Sequence, residues 1–71
     1  MNFIRGDFVM LEFKGRCLRA MVVLASQNGD SLMAMFDGML GGYVGMMPIR
    51  RCDDGEYRDV MKGEIVKVTL P

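Results

Sequence analysis

The sequence contains no histidine and no tryptophan, and it has only two cysteines. Without histidine, the most common general base for activating a serine or cysteine nucleophile is missing. Cys17 and Cys52 stand far apart in the chain and do not show the paired spacing of a zinc site. We therefore predict a protein that is not an enzyme, that needs no metal or cofactor, and that uses both cysteines as small apolar residues.

An excess of charge of one sign is also absent, because nine Lys and Arg residues balance nine Asp and Glu residues. A basic excess is what attracts nucleic-acid-binding proteins to phosphates, so nucleic acid is not the favoured partner. No apolar run is long enough to span a bilayer, and the first residues do not resemble a secretory signal. These absences predict a cytoplasmic protein without a membrane partner, and its neutrality permits association. We expect the protein to be bacterial or phage-associated.

What the sequence does contain is a repeated alternation of apolar and polar residues. Alternation with a period of two is typical of strands with one buried face. It recurs in five segments, at residues 8–13, 17–25, 31–36, 43–50 and 64–70. In the second segment the residues expected on one common face are Leu18, Ala20, Val22 and Leu24. We predict one domain over residues 1–71, built as a five-stranded antiparallel barrel.

Glycine, asparagine and proline mark the connections between these strands. Asn28-Gly29 between two apolar runs predicts a hairpin with a type I′ turn, because both residues tolerate positive φ. Residues 37–45 contain four glycines, which predicts a mobile or sharply bent loop. Pro48 has no N–H group for a ladder, so we expect it at a sheet edge, a bulge or a strand end.

Helical spacing occurs at one place only, in residues 53–63. Tyr57, Val60 and Met61 stand at positions i, i+3 and i+4, with Gly63 as a stop signal. This spacing predicts one or two helical turns at most. The fold class predicted from the patterns is therefore all-β with at most one short helical turn.

Two stretches, GDFVMLEFKGRCLRAMVV and LMAMFD, carry a resemblance to a known family. They resemble the start of Tudor-type SH3-like barrels, and the likeness runs from Gly6 to about Arg50. It implies a five-stranded SH3-like barrel. Tudor domains that bind methylated lysine or arginine use an aromatic cage. The corresponding positions here hold Cys17, Leu18, Gly38 and Met39, so that activity is not implied.

The segment AMVVLASQNGDSLM is similar to the ligand-binding loop of PilZ domains, bacterial β-barrels that bind cyclic di-GMP. Ser26 and Gly29 match the motif [Asp/Asn]-x-Ser-x-x-Gly, while Leu24 replaces its first residue. Arg5 is the only arginine before the first strand, where the family has a pair. Bidentate arginines commonly hold guanine edges and phosphates. The resemblance implies a degenerate PilZ-like barrel, with cyclic-dinucleotide binding as an alternative function.

Methionine is unusually frequent, with nine residues in 71. Its flexible, polarizable side chain suits an irregular core and also an adaptable contact surface. Binding of Cu(I) by soft sulfur ligands is a third interpretation, and it ranks below these two because no His or Cys is close by in sequence. The candidate interaction face comprises Met21, Met33, Met35, Met39, Tyr43, Met46 and Met47.

A second candidate surface is basic. It comprises Lys14, Arg16, Arg19, Arg50 and Arg51, which would share one rim if the fourth strand lay beside the second. With Tyr43 and Tyr57 available for stacking, such a rim suits RNA. The favoured function is a non-enzymatic interaction module that binds a protein partner or self-associates through the methionine-bearing face, and RNA binding is a further alternative.

Overall fold

The strand pattern of the sequence is realised in a computed structural model that describes residues 2–71. The six strands are β1 (Phe8–Phe13), β2 (Arg16–Ala25), β3 (Ser31–Leu40), β4 (Tyr43–Arg51), β5 (Tyr57–Asp59) and β6 (Lys67–Thr69). Within residues 2–71 there is no helix. The all-β class is therefore confirmed, whereas the predicted number of five strands is wrong by one.

All neighbouring strands are antiparallel, in the order β5-β4-β3-β2-β1-β6. The segment 64–69 approaches both ends of this order. Its first part pairs with β5, where the Val66 N–H group donates to the Tyr57 carbonyl at 2.8 Å. Its second part is β6, which pairs with β1. The sheet therefore curls into a small, nearly closed barrel.

The core lies inside this curled sheet, where the alternating apolar residues meet. On β1 the predicted inward set of Val9, Leu11 and Phe13 is buried, which confirms the alternation. Across the other strands and the adjoining segments the buried apolar residues are Phe3, Ala20, Val22, Leu32, Ala34, Phe36, Leu40, Tyr43, Met47, Ile49, Tyr57 and Val66.

The short helical turn predicted around Tyr57 is wrong, because this segment is β5. Tyr57 and Asp59 are both buried, which is a spacing of two. Val60 and Met61, the other members of the helical pattern, are 56% and 78% exposed. A helix here would bury Val60 and Met61 and expose Asp59. In the strand, Asp59 is buried and its carboxylate accepts hydrogen bonds.

The glycine-rich segment is sharply bent rather than an extended loop. β3 continues through it to Leu40 with a bulge between Met35 and Met39, and β4 starts at Tyr43. Gly41 and Gly42 form the two-residue turn, with φ values of +56° and +92°. A Cβ atom on Gly41 would lie 2.2 Å from the Phe13 ring. Glycine is required there for space as well as for backbone conformation.

The hairpin predicted at Asn28-Gly29 is confirmed, since β2 pairs with β3, but the turn type is different. The Ser26 N–H group donates to the Ser31 carbonyl at 2.8 Å, which leaves a four-residue loop over 27–30, and within this loop the Gly29 N–H group donates to the Ser26 carbonyl at 2.9 Å. Lys14 is the only described non-glycine residue with positive φ, so Asn28 does not adopt the type I′ conformation. The Asn28 side chain explains the difference, because its Oδ1 atom accepts the Asp30 N–H at 3.0 Å and holds a turn of the common kind.

Pro48 lies inside β4 and pairs with Met33 of β3. Its carbonyl accepts the Val60 N–H at 3.2 Å, just beyond the last residue pair that joins β4 to β5. In an antiparallel strand, the N and the carbonyl of one residue face the same neighbour. Pro48 is therefore not at the strand end that was one of the predicted places, but the donor that it lacks falls at the end of the β4–β5 ladder, where β4 has no further residue pair on that side.

Candidate functional site

An apolar row crosses the outside of the barrel on four neighbouring strands. Phe8 pairs with Met21, Met21 with Met35, and Met35 with Met46. Directly paired residues on antiparallel strands point to the same face of the sheet. These side chains are 52%, 36%, 51% and 43% exposed, in that order. The row therefore lies on the surface, opposite to the core.

A second row lies beside the first along the strands. Leu24 of β2 pairs with Met33 of β3, which in turn pairs with Pro48 of β4. Val60 is next in this row, because its N–H group donates to the Pro48 carbonyl. The side chains of Leu24 and Val60 are largely exposed. We call the two rows together the outer face, formed by Phe8, Met21, Met35, Met46, Leu24, Met33, Pro48 and Val60.

Most of the methionines of the candidate interaction face lie here. Met21, Met33, Met35 and Met46 belong to the outer face, and Met39 is exposed beyond the bulge of β3. Tyr43 and Met47 do not lie on any surface. They are core residues, because the alternation of β4 directs them inward together with Ile49. Their inclusion in the candidate face was wrong.

A groove of about 550 Å³ opens on the outer face between β2 and β3. The pairing of these two strands stops at Met21 and Met35, and the strands diverge beyond that point. Leu18 and Phe36 line the groove between the diverging strands. Arg19 and Asp37 line it as well, as its charged side chains. A second depression of about 410 Å³ lies between Leu24, Pro48 and Val60.

The basic residues do not form one rim. β3 lies between β2 and β4, so the condition for a shared rim is not met. Lys14 and Arg16 lie at the β1–β2 turn, where the Lys14 ammonium contacts Glu64 at 3.1 Å. Arg50 and Arg51 lie at the other end of the strands, next to the 27–30 loop, and Arg19 is on the outer face.

The loop that resembles a PilZ motif is held together by its own side chains. The Ser26 hydroxyl donates to Asn28 Oδ1 at 2.8 Å and accepts the Ser31 N–H at 2.9 Å. The Nε and Nη2 atoms of Arg51 both donate hydrogen bonds to Asp30 Oδ1, at 2.8 and 2.6 Å. These hydrogen bonds raise the pKa of Arg51 above its ordinary value. Ser26 is thus already engaged within the loop.

Asp59 is the buried charged residue of the described chain, at 1% exposure. Its carboxylate accepts hydrogen bonds from the Tyr43 hydroxyl at 2.7 Å and from the N–H groups of Glu64 at 2.7 Å and Lys62 at 3.0 Å. Burial alone would raise the pKa of Asp59, but these donors together lower it below its ordinary value. Burial and the neighbouring carboxylate raise the pKa of Tyr43. This cluster fixes the turn after β5, which is a structural role.

Cys17 is exposed and Cys52 half-buried, and both are free thiols. In the described part of the chain, no three His, Cys, Asp or Glu side chains come together as a metal-binding group. Nor does any helix in residues 2–71 have the length and apolar character to cross a membrane.

Sequence reasoning missed half of the outer face. Alternation predicts Leu24 on the same face as Ala20 and Val22, which are buried. A bulge between Val22 and Leu24 instead turns the Leu24 side chain to the outside. Phe8 does alternate with the buried residues of β1, so its outward position was available from the sequence. Val60 was assigned to a helix. The position of Asp37 beside Arg19 depended on a strand register that the sequence does not specify.

Comparisons of the chain with protein-family models, with curated proteins and with solved structures find no match. The Tudor-type and PilZ likenesses therefore depend on the quoted residues alone. The fold itself is a small, nearly closed all-β barrel that is compatible with an SH3-like architecture.

Proposed function

We propose that this protein is a non-enzymatic interaction module with an SH3-like barrel, and that it binds protein through its outer face. The observation that carries the proposal is the in-register row of Phe8, Met21, Met35 and Met46 across four strands. Scattered exposed apolar residues are normal, but contiguous apolar patches commonly mark contact sites.

Residue type supports a protein partner. Aromatic residues and methionine are enriched in protein interfaces. Methionine can also adapt to the shape of a partner because it has three flexible bonds. Phe8 supplies one rigid anchor at the end of the row, and the Arg19 guanidinium lies 5.9 Å from its ring centroid. A cation over an aromatic ring is a favourable contact that helps to fix the ring.

The nearly closed barrel supports the same surface. Unpaired strand edges are the usual alternative route for association. Here β5 is paired on both sides, with β4 and with residues 64–66, so the free strand edges are short ones, at β6 and at the diverging parts of β2 and β3. Side chains on the sheet face therefore offer a larger contact surface than these edges do.

Site-specific photocrosslinking in the cells that naturally produce the protein tests this function. Met35 is replaced by p-benzoylphenylalanine, and Lys67 of β6, which is exposed outside the outer face, is replaced in a matched control. We expect discrete crosslinked products from position 35, whether with a second copy or with another protein, and few from position 67. Equal labelling from both positions, or none from position 35 in a folded variant, would contradict the proposal.

A further inference from the structure

We infer that the partner of the outer face is a second copy of this chain, bound about a two-fold axis that runs along the strands between β2 and β3. This inference rests on the proposed function. It follows from the pattern of the surface, since two identical faces form a closed dimer only when each residue meets a compatible residue after the rotation.

The apolar residues are compatible under this axis. A rotation about an axis parallel to the strands places β2 of one copy over β3 of the other. Met21 then meets Met35 of the second copy, since these residues pair at the same level of the sheet. Leu24 likewise meets Met33 of the second copy. The axis also exchanges β1 and β4, which brings Phe8 over Met46 of the second copy.

The charged residues select this axis over the perpendicular one. Arg19 precedes Met21 by two residues and Asp37 follows Met35 by two, so both lie on the same side of the first row and line the same groove. The axis along the strands places Arg19 opposite Asp37 of the second copy, and the reverse pair forms by symmetry. An axis across the strands would instead place both charges against the apolar row of Leu24 and Met33, where they would lose water without gaining a partner.

Arg19 and Asp37 are also available for such a contact. Both are exposed, and neither makes an ion pair with a side chain of residues 2–71. The four ion pairs on the described surface join Lys14 to Glu64, Arg51 to Asp30, Arg58 to Asp54 and Lys67 to Glu12. Several other exposed charges of the described residues also have no ion-pair partner, and among them Arg19 and Asp37 are the two that line the groove of the outer face.

The size of the face predicts a weak dimer. With strands ~4.8 Å apart and a rise of ~3.4 Å per residue, the face spans three strand spacings and, because of the bulge in β2, four residue rises from Arg19 to Leu24, which is roughly 14 by 14 Å between Cα atoms. Including side chains, each copy buries on the order of 400 Å², which is below the size of a standard stable interface. We therefore expect weak association, of the kind that is detected at micromolar and higher concentrations.

Sedimentation equilibrium of the purified chain tests the inference at low ionic strength. We expect the wild-type mass to rise with concentration from 8.0 kDa towards twice that value. Arg19→Asp and Asp37→Arg, each alone, bring like charges together twice per dimer and should weaken association at least tenfold. An equimolar mixture of the two variants should dimerise again, because both cross pairs then have opposite charges.

A second mixture controls for attraction between variants of opposite net charge. Lys67→Asp and Asp53→Arg carry the same charge changes at exposed positions outside the outer face, and each alone should dimerise like the wild type. A wild-type chain that stays monomeric to about 500 μM would overturn the inference, while specific crosslinks to a different protein from position 35 would leave the proposed function standing. Failure of the Arg19→Asp and Asp37→Arg mixture to associate would refute this axis.

Discussion

Replacement of Tyr43 or of Tyr57 by phenylalanine removes one buried hydroxyl in each case, and the Tyr43 hydroxyl also accepts a long hydrogen bond of 3.4 Å from the Met61 N–H group. The Tyr43 hydroxyl donates to the buried Asp59 carboxylate at 2.7 Å, and the Tyr57 hydroxyl donates to the Gly29 carbonyl at 2.8 Å. A hydrogen bond to a charged group contributes about 1.5–3 kcal/mol, and one between neutral groups about 0.5–1.5 kcal/mol. We expect Tyr43→Phe to lower the free energy of unfolding by the larger amount and Tyr57→Phe by the smaller one.

Both variants should remain folded, because a chain of this size has a stability of roughly 4–11 kcal/mol. Urea unfolding followed by circular dichroism measures the difference, with an unchanged slope as evidence that the unfolded state is the same. Tyr57→Phe serves as the matched control, since both rings are buried and both changes delete one oxygen. A larger loss for Tyr57→Phe than for Tyr43→Phe would refute the reasoning.

The pH dependence of the same variants tests the cause. The folded-state pKa of Asp59 lies below its ordinary value, so its contribution is complete above the unfolded pKa of ~3.9 and is lost as the pH falls through the folded pKa. Tyr43→Phe removes one of the donors that lower this pKa. From pH 7 to about pH 2 the variant should therefore lose less stability than the wild type, while Tyr57→Phe should follow the wild type. Parallel curves for Tyr43→Phe and the wild type would show that Asp59 is not the group involved.

Two further paired substitutions test the turns. Gly41→Ala should cost about 1–3 kcal/mol more than Gly42→Ala, because a Cβ atom at Gly41 meets the Phe13 ring whereas one at Gly42 meets open space, and both positions have positive φ. Equal unfolding midpoints for the two variants would contradict the steric argument. Arg51→Ala should speed amide hydrogen exchange at Gly29 and Ser31, since Arg51 holds the loop through Asp30 and the Asn28 carbonyl. Arg50→Ala, its exposed neighbour, should leave these exchange rates unchanged.

The long strands were predictable because each presents enough alternating residues to define a face. On β1, burial of every second residue from Val9 to Phe13 follows directly from the letters. The hairpin between β2 and β3 was likewise predictable, since Asn28 and Gly29 interrupt two apolar runs. The residues within each of these elements are sufficient to predict it, because each strand pairs with the strand next to it in sequence.

β5 was not predictable for the opposite reason. A strand of three residues offers a single repeat of the alternation, and its inward polar residue, Asp59, contradicts the apolar pattern. The buried carboxylate is tolerated only because Tyr43 and two N–H groups from the following turn surround it. Tyr43 is distant in sequence, and the two N–H groups face the carboxylate only once the turn after β5 has formed, so no sequence pattern indicates these donors. The helical spacing of Tyr57 and Val60 was then the stronger local signal, and it was wrong.

The outer face is partly predictable from the pattern within single strands and partly dependent on how the strands pair. The outward direction of Met21 or Met35 follows from alternation within one strand, but their direct pairing depends on where the β2–β3 ladder begins. The bulge after Val22 changes that register and turns Leu24 to the outside. Sequence reasoning therefore recovered several methionines of the face and missed the residues that make it continuous.

The outer face is separate from the hydrogen-bonded side chains that stabilise the fold, so its residues can be substituted without unfolding the protein. Asp59 and Tyr43 lie on β5 and β4, and the loop held by Arg51 connects β2 to β3; none of these residues is part of the outer face. Arg19 and Asp37 are exposed and form no ion pair with described residues, and the contact of Arg19 with the exposed Phe8 ring is worth only ~0.5–1 kcal/mol, so exchange of their charges costs little folding stability. A change in association on exchanging these charges therefore reports on the face itself.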